Sequence, residues 1–186
     1  MRHTLSNNLN PIQAMYLQSA TLRLRAPEHT DLDFLFHIEN DTRLWAVSAC
    51  KIPYSRYQLQ TYIETNSHDL YADKQMRLMI DEHDTPIGAI DLFDFSPANH
   101  RAEVGIVIDS VHRHKGHARE ALAMVCEYAS QVLSLHQLYA YVYSDNEAAI
   151  RLFTSCEFAA VATLPDWAFI EGQYKSVVLY QRIFEK

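Results

Sequence analysis

Between Arg113 and Arg119 the chain reads R-H-K-G-H-A-R, five cationic or protonatable side chains around the single glycine Gly116. A strand-like run, Arg101 to Asp109, precedes this loop, and from His117 onward the apolar residues settle into helical spacing. Strand, basic glycine loop, then helix is an arrangement that can hold a phosphate. The first N–H groups of a helix have no partner within it and carry the positive end of the helix dipole. Gly116 lets the backbone turn tightly with no Cβ in the path of an approaching oxygen. Neither G-x-x-x-x-G-K-[ST] nor G-x-G-x-x-G is present, so this is no ATP-binding loop. The pattern points to a pyrophosphate held by backbone donors without a metal. The competing account is an ordinary connection whose charges are merely solvated.

The elements around the loop decide which account is better. "TLRLRAP" alternates at Leu22 and Leu24 as a first strand. Thr30 or Asp31 opens a helix carrying Leu32, Leu35, Phe36 and Glu39, and a second helix follows Pro53 with Ser55 as its N-cap. "MRLMIDE" and "PIGAIDLFDF", joined by "HDT", form an antiparallel hairpin, and "SPANH" turns the chain into the strand Arg101–Asp109. The helix from about His117 to Leu133 has one apolar face, built from Ala121, Leu122, Val125, Cys126, Ala129, Val132 and Leu133. "QLYAYVY" is a strand, "NEAAIRLFTSC" a short helix, and "FAAVATL" and "SVVLYQRIF" two closing strands. The order β-α-α-β-β-β-α-β-α-β-β implies an α/β (α+β) fold, a mixed sheet with helices on its faces.

Composition narrows the function classes. The 186 residues are 48% hydrophobic and 21% charged, as expected of one soluble globular domain. We place that domain at residues 19–186, after a flexible N-terminal tail, residues 1–18, within which Met15 is an alternative start. The net charge of −7 argues against a nucleic-acid binder and suits a cationic or amine substrate. Cys50, Cys126 and Cys156 are odd in number and unpaired in spacing, which fits a reduced, cytoplasmic protein. No run approaches a membrane span, and the N-terminus has no signal-peptide core.

Arg113, Gly116 and Ala118, as R-x-x-G-x-A, resemble the R/Q-x-x-G-x-G/A signature of the GNAT superfamily of N-acetyltransferases. Some 28 residues beyond Ala118, "YVYSDNEAAIRLFTSCEF" resembles the strand-Asn-helix segment of that family. "TLRLRAPEHTDLDFL" and "NHRAEVGIVI" look most like its ribosomal-protein and spermidine acetyltransferase branch, so the resemblance runs from Thr21 to the C-terminus. It implies a mostly antiparallel sheet in which strands 101–109 and 137–143 run parallel and splay apart. The pantetheine arm of acetyl-CoA would fill that gap as an added strand. Its backbone partners would be Ile106, Val107 and Ile108, with Asn146 reaching it from the other side. Its pyrophosphate would lie on Arg113, His114, Lys115, Gly116, His117, Ala118 and Arg119.

The resemblance also implies the chemistry: direct attack of a primary amine on the acetyl thioester. Glu103 is the expected general base, a carboxylate beside the thioester that accepts a proton from the mostly protonated amine. The alternative for Glu103 is a strand glutamate paired with Arg101 or another surface cation; Asp91 and Asp94 are rival bases. Phe153 occupies the position where the family carries a tyrosine that protonates the departing thiolate, and Glu157 replaces the usual glycine. Tyr139, Tyr141 and Tyr143 alternate along the adjacent strand as possible substitutes, although solvent is the favoured donor. His112, His114 and His117 match no zinc pattern, and we expect them to assist phosphate binding. Trp45 and Trp167 either flank the acceptor cleft or lie in the core. The acceptor would be a polyamine, another small amine or a protein N-terminus, and homo-oligomers are compatible with the sequence. A non-catalytic acyl-CoA binder or sensor is the alternative, prompted by Phe153.

Overall fold

The computed structural model describes residues 16–45, 52–65 and 69–185. Residues 1–15, Met15 among them, Cys50 and the side chain of Trp45 lie outside the described residues.

Seven strands form one sheet in the order β1-β2-β3-β4-β5-β7-β6. They are β1 (Leu22–Arg25), β2 (Met76–Glu82), β3 (Thr85–Ser96), β4 (Arg101–Ile108), β5 (Gln137–Tyr143), β6 (Ala159–Ile170) and β7 (Gln173–Ile183). Among the described residues only β4 and β5 pair in parallel; every other neighbour is antiparallel. The β2–β3 hairpin turns on two residues, His83 and Asp84, both with positive φ (50° and 61°). Two left-handed residues give a turn whose twist matches that of the flanking strands, and His and Asp tolerate that conformation better than most.

Helices cover both faces. On one lie α1 (Leu32–Glu39) and α3 (Arg56–Thr65), whose Leu35, Ile38, Leu59 and Ile63 pack on Met79 and Ala89. The single turns α2 (Thr42–Trp45) and α4 (Leu70–Asp73) were not legible as elements in the sequence. Ser55 caps α3 as expected, in a reciprocal pair with Gln58: each side chain takes the other's backbone N–H. On the opposite face lie α5 (His117–Gln131) and α6 (Glu147–Ser155). Ala121, Leu122, Val125, Cys126 and Ala129 of α5 are buried against Val104, Ile108, Leu138 and Ala140 of the sheet. Covering both faces explains why Leu78, Met79 and Ile80 are buried in succession in β2.

Residues on the N-terminal side of the boundary expected at residue 19 also contact the domain. Leu17 is buried, its carbonyl accepts the Leu24 N–H, and Ser19 and Thr21 donate to Glu120 of α5. β6 also runs longer than "FAAVATL", passing Pro165 through an irregularity between Leu164 and Ala168 where Asp166 has φ 51°.

The feature that matters for function lies mid-sheet. β4 and β5 pair only at Arg101↔Gln137, Ala102↔Leu138 and Glu103↔Tyr139. Beyond that third pair no register joins them, so Val104–Ile108 and Ala140–Tyr143 border a seam.

Candidate active site

Glu103 and Tyr139 are the last pair before the strands part, so they mark the vertex of the seam. Along β4, Ala102, Val104 and Ile108 are buried toward α5, which leaves Glu103, Gly105 and Val107 on the face covered by α1 and α3. A carboxylate there is partly withdrawn from water. Burial first, and the negative charge of Asp94 second, push the Glu103 carboxyl up to about 7.

Asp94 reaches that face through a bulge. Phe93 pairs with Glu103 and Ser96 with Arg101, so Asp94 and Phe95 together oppose Ala102. Phe95 takes the inward slot and is buried, while Asp94 adopts φ 48°. Its carboxylate accepts the Tyr139 hydroxyl and lies 4.0 Å from the Arg101 guanidinium. That guanidinium is 5.9 Å from the centre of the Tyr139 ring, which in turn meets Tyr141 edge-on at 5.8 Å. Burial and the bonded Asp94 carboxylate hold the Tyr139 phenol above its ordinary range. Asp91 is differently placed. Arg77 clamps it with bonds of 2.7 and 2.9 Å and also donates to Glu39, so Asp91 serves a structural ion pair.

At the far end of the seam Gly116 caps α5 with φ 90° and ψ −9°, a backbone state that only glycine adopts without strain. Open space surrounds the position a Cβ would take, so conformation rather than crowding demands the glycine. Arg113 donates from Nε to the Ile108 carbonyl at 2.9 Å, which anchors the loop to the end of β4. His114, Lys115 and Arg119 are exposed around it. The histidine trio divides. His117 is buried, with Nε2 3.4 Å from one oxygen of Glu82, and His112 places Nδ1 3.5 Å from the other. The His117 ring therefore turns away from the loop surface, and what it offers a phosphate is its backbone N–H.

Backbone parity sorts the β4 residues. Asp109 donates to Ile87 of β3, and alternation along an antiparallel pair then directs the N–H and C=O of Val107 to Ala89. Val107, expected to bond the arm, thus belongs to the β3 ladder. Ile106 and Ile108 face the seam, although Arg113 already takes the Ile108 carbonyl. Asn146 caps α6, its Oδ1 accepting the Ala149 N–H at 3.1 Å, while its amide nitrogen has no bond among the described residues. Phe153 is buried, edge-on to Phe158 at 5.1 Å and stacked with Tyr180 at 6.4 Å. Trp167 is 63% exposed on β6, away from the core.

An unpaired strand edge at Ile106, a positive-φ glycine at a helix N-terminus and a free Asn146 amide fit a peptide-like arm ending in a pyrophosphate. Tyr180 and Glu82 were not singled out in the sequence, since each meets its partner only through the fold.

A family model described as acetyltransferase (GNAT) domain matches residues 21–159. The spermidine N(1)-acetyltransferase of Vibrio cholerae is 28% identical over 161 residues, covering 86% of this chain and 91% of that protein. The Escherichia coli K12 protein of the same name is 26% identical over 162 residues, covering 85% and 83%. Among solved structures, the Vibrio cholerae spermidine N-acetyltransferase in complex with CoA and spermine superposes with a TM-score of 0.80 at 27% identity, over 89% of this chain and 96% of that one. A ribosomal L7/L12 α-N-protein acetyltransferase in complex with coenzyme A gives a TM-score of 0.81 at 18% identity, over 89% and 95%, a likeness of fold alone. A seamed sheet, a glycine-capped basic loop at a helix N-terminus and a carboxylate at the vertex thus occur in a chain that belongs to the GNAT acetyltransferase family, an N-acetyltransferase that moves acetyl from acetyl-CoA to an amine.

Proposed function

We propose that the acceptor is a polyamine or a comparable small polycationic amine, and that Glu103 is the general base. The observation that carries this is the placing of Glu103 at the seam vertex, its carboxyl held up to about 7, with Asp94 beside it on the same face. Two carboxylates flanked by the rings of Tyr139 and Tyr141 attract a cation and can face an ammonium with π-electrons. The names of the relatives, spermidine N(1)-acetyltransferases, and the spermine in one neighbour support the same acceptor class.

Bound acetyl-CoA supplies a thioester carbonyl for the amine to attack. Its pyrophosphate would be held by the backbone of residues 116–119, with Arg113, His114, Lys115 and Arg119 around it, and its arm by Ile106 and Ile108, with Asn146 in reach. Glu103 takes the proton that the incoming ammonium must lose, and a base titrating near 7 accepts it at neutral pH. Asp91 does not compete, because Arg77 holds both of its oxygens. Phe153 has no proton to give and the Tyr139 hydroxyl is committed to Asp94; we assign protonation of the thiolate to water.

Assembly belongs to the same proposal. β6 is an edge strand with Val161, Trp167 and Phe169 exposed, and one Vibrio cholerae relative was solved as a dodecamer. We place a second copy against this edge. Among the described residues no helix is long and apolar enough to cross a membrane.

An amine panel assayed with acetyl-CoA, reading released CoA thiol, tests the acceptor. Spermidine and spermine should outpace a peptide N-terminus. Glu103→Gln should lower kcat by about 10²–10⁴-fold while leaving acetyl-CoA affinity intact. Wild-type turnover in that variant would remove Glu103 from the role.

A further inference from the structure

The bulge in β3 has no explanation in the fold alone. A regular strand would direct residue 94 toward the α5 face, where a carboxylate would be buried among Leu92, Ala102 and Leu138. The bulge avoids that burial, but an uncharged residue at this position would avoid the same cost with no bulge at all. At φ 48° glycine is the residue of least strain, and Asp94 stabilises little through its own packing, since its side chain is 62% exposed. What the aspartate does contribute is a charge held in one place. Tyr139, the register partner of Glu103, donates its hydroxyl to Asp94, and Arg101 approaches the same carboxylate from β4.

We infer that Asp94 is a positioning residue for the base at Glu103: locked by the bulge and by the Tyr139 hydroxyl, it sets the field in which Glu103 exchanges its proton. The inference rests on the proposed role of Glu103. The charged and phenolic groups that share this face come from four neighbouring elements besides β4 itself, and from α3 the nearest is the Tyr62 phenol, whose ring lies against Arg77. β4 contributes Arg101, β5 only the phenols Tyr139 and Tyr141, and β3 Asp91, whose charge is met by Arg77. The α1 carboxylate Glu39 lies against that same Arg77. Asp94 is then the like charge that acts on Glu103 alongside burial, and a like charge keeps a neighbouring proton bound to higher pH. Its role in catalysis is to keep Glu103 a strong enough base to take a proton from an ammonium, rather than to touch the amine.

The test is the pH dependence of kcat/KM for spermidine with acetyl-CoA, from pH 5.5 to 9, in wild type, Asp94→Asn and Asp94→Gly. Wild type should rise along an acidic limb centred near pH 7. Both variants should move that limb down by about half a unit or more, a gain of about threefold at pH 6 relative to each variant's own plateau. Asp94→Gly also relieves the left-handed backbone, so a matching shift in both variants separates charge from conformation. Limbs that stay at the wild-type position in both would overturn the inference. Glu103→Gln distinguishes the two levels. If that variant keeps the wild-type limb and rate, the base assignment fails; if it loses the limb while Asp94→Asn leaves the limb unmoved, only the role of Asp94 fails.

Discussion

Replacing Gly88 by alanine tests the strand geometry that positions the whole seam. A Cβ on Gly88 would lie 2.3 Å from the Val107 carbonyl oxygen, 2.9 Å from Ile108 Cδ1 and 3.2 Å from Ile108 Cα. Two of those three neighbours are backbone, so no side-chain rotation relieves the contact, and β3 and β4 must move apart by about an ångström to restore van der Waals distance. Overpacking of this kind costs about 1–3 kcal/mol, and backbone contacts put it at the upper end. For a chain of this size each kcal/mol moves Tm by about 2–4 °C, so a loss of about 3 kcal/mol lowers Tm by about 6–12 °C. The displaced atoms belong to β4 next to the seam, so acetyl-CoA affinity should fall with the melting temperature. Gly105→Ala is the internal control. Its Cβ meets only the edge of the Phe93 ring, at 3.1 and 3.2 Å, and a ring can give by a few tenths of an ångström. Its Tm should fall by no more than about 4 °C, a cost of about 1 kcal/mol. Thermal melts and calorimetric titration with acetyl-CoA read both quantities. A Gly88→Ala protein melting within a degree of wild type would show that the 88↔108 register is wrong.

Gly116→Glu forces a side chain into a φ of 90° and places a negative charge on the pyrophosphate cradle; acetyl-CoA binding should weaken severely in a protein that still folds, and unchanged affinity would dissociate the loop from the cofactor. Phe153→Tyr restores a phenol where the family carries one. If that phenol reaches the sulfur and thiolate departure limits the rate, kcat should rise, whereas a lower Tm with flat kcat would place the hydroxyl in the Phe158–Tyr180 cluster instead.

The segment from Arg101 to Gln131 was legible because its signals are adjacent in the chain: a strand, a basic glycine loop and an amphipathic helix in direct succession. β5 matched "QLYAYVY" end to end for the same reason, an alternating run between turn signals. What escaped depends on pairing. In "DLFDFS" a strict period of two would send Asp94 inward with Leu92, and the conflict between a carboxylate and a core slot was the only sign of the bulge. Whether Val107 bonds the arm or β3 is a matter of hydrogen-bond parity, fixed by the Asp109–Ile87 bond and unreadable from side-chain types. His112 and His117, expected at the phosphate, turn to Glu82 instead, and Asp91, a rival base in sequence, is held by Arg77 fourteen residues away; both partnerships form only through the fold.

The seam divides one sheet into a four-stranded leaf, β1 to β4, and a three-stranded leaf, β5, β7 and β6, joined in the sheet plane by three residue pairs. On the proposed binding mode, an arm held by β4 on one side and by Asn146 beyond β5 on the other would be a mechanical brace as well as a substrate. Its binding energy is divided between affinity and stiffening of the joint, so donor-loaded protein should resist local opening of Val104–Ile108 more than the donor-free form. At a donor concentration about 100 times Kd, donor binding as a whole stabilises the folded state by about 2.7 kcal/mol, of which bracing the joint is one part. On that binding mode each turnover would loosen the joint again for spent coenzyme to leave, coupling the tightness of donor capture to the rate at which the two leaves can part.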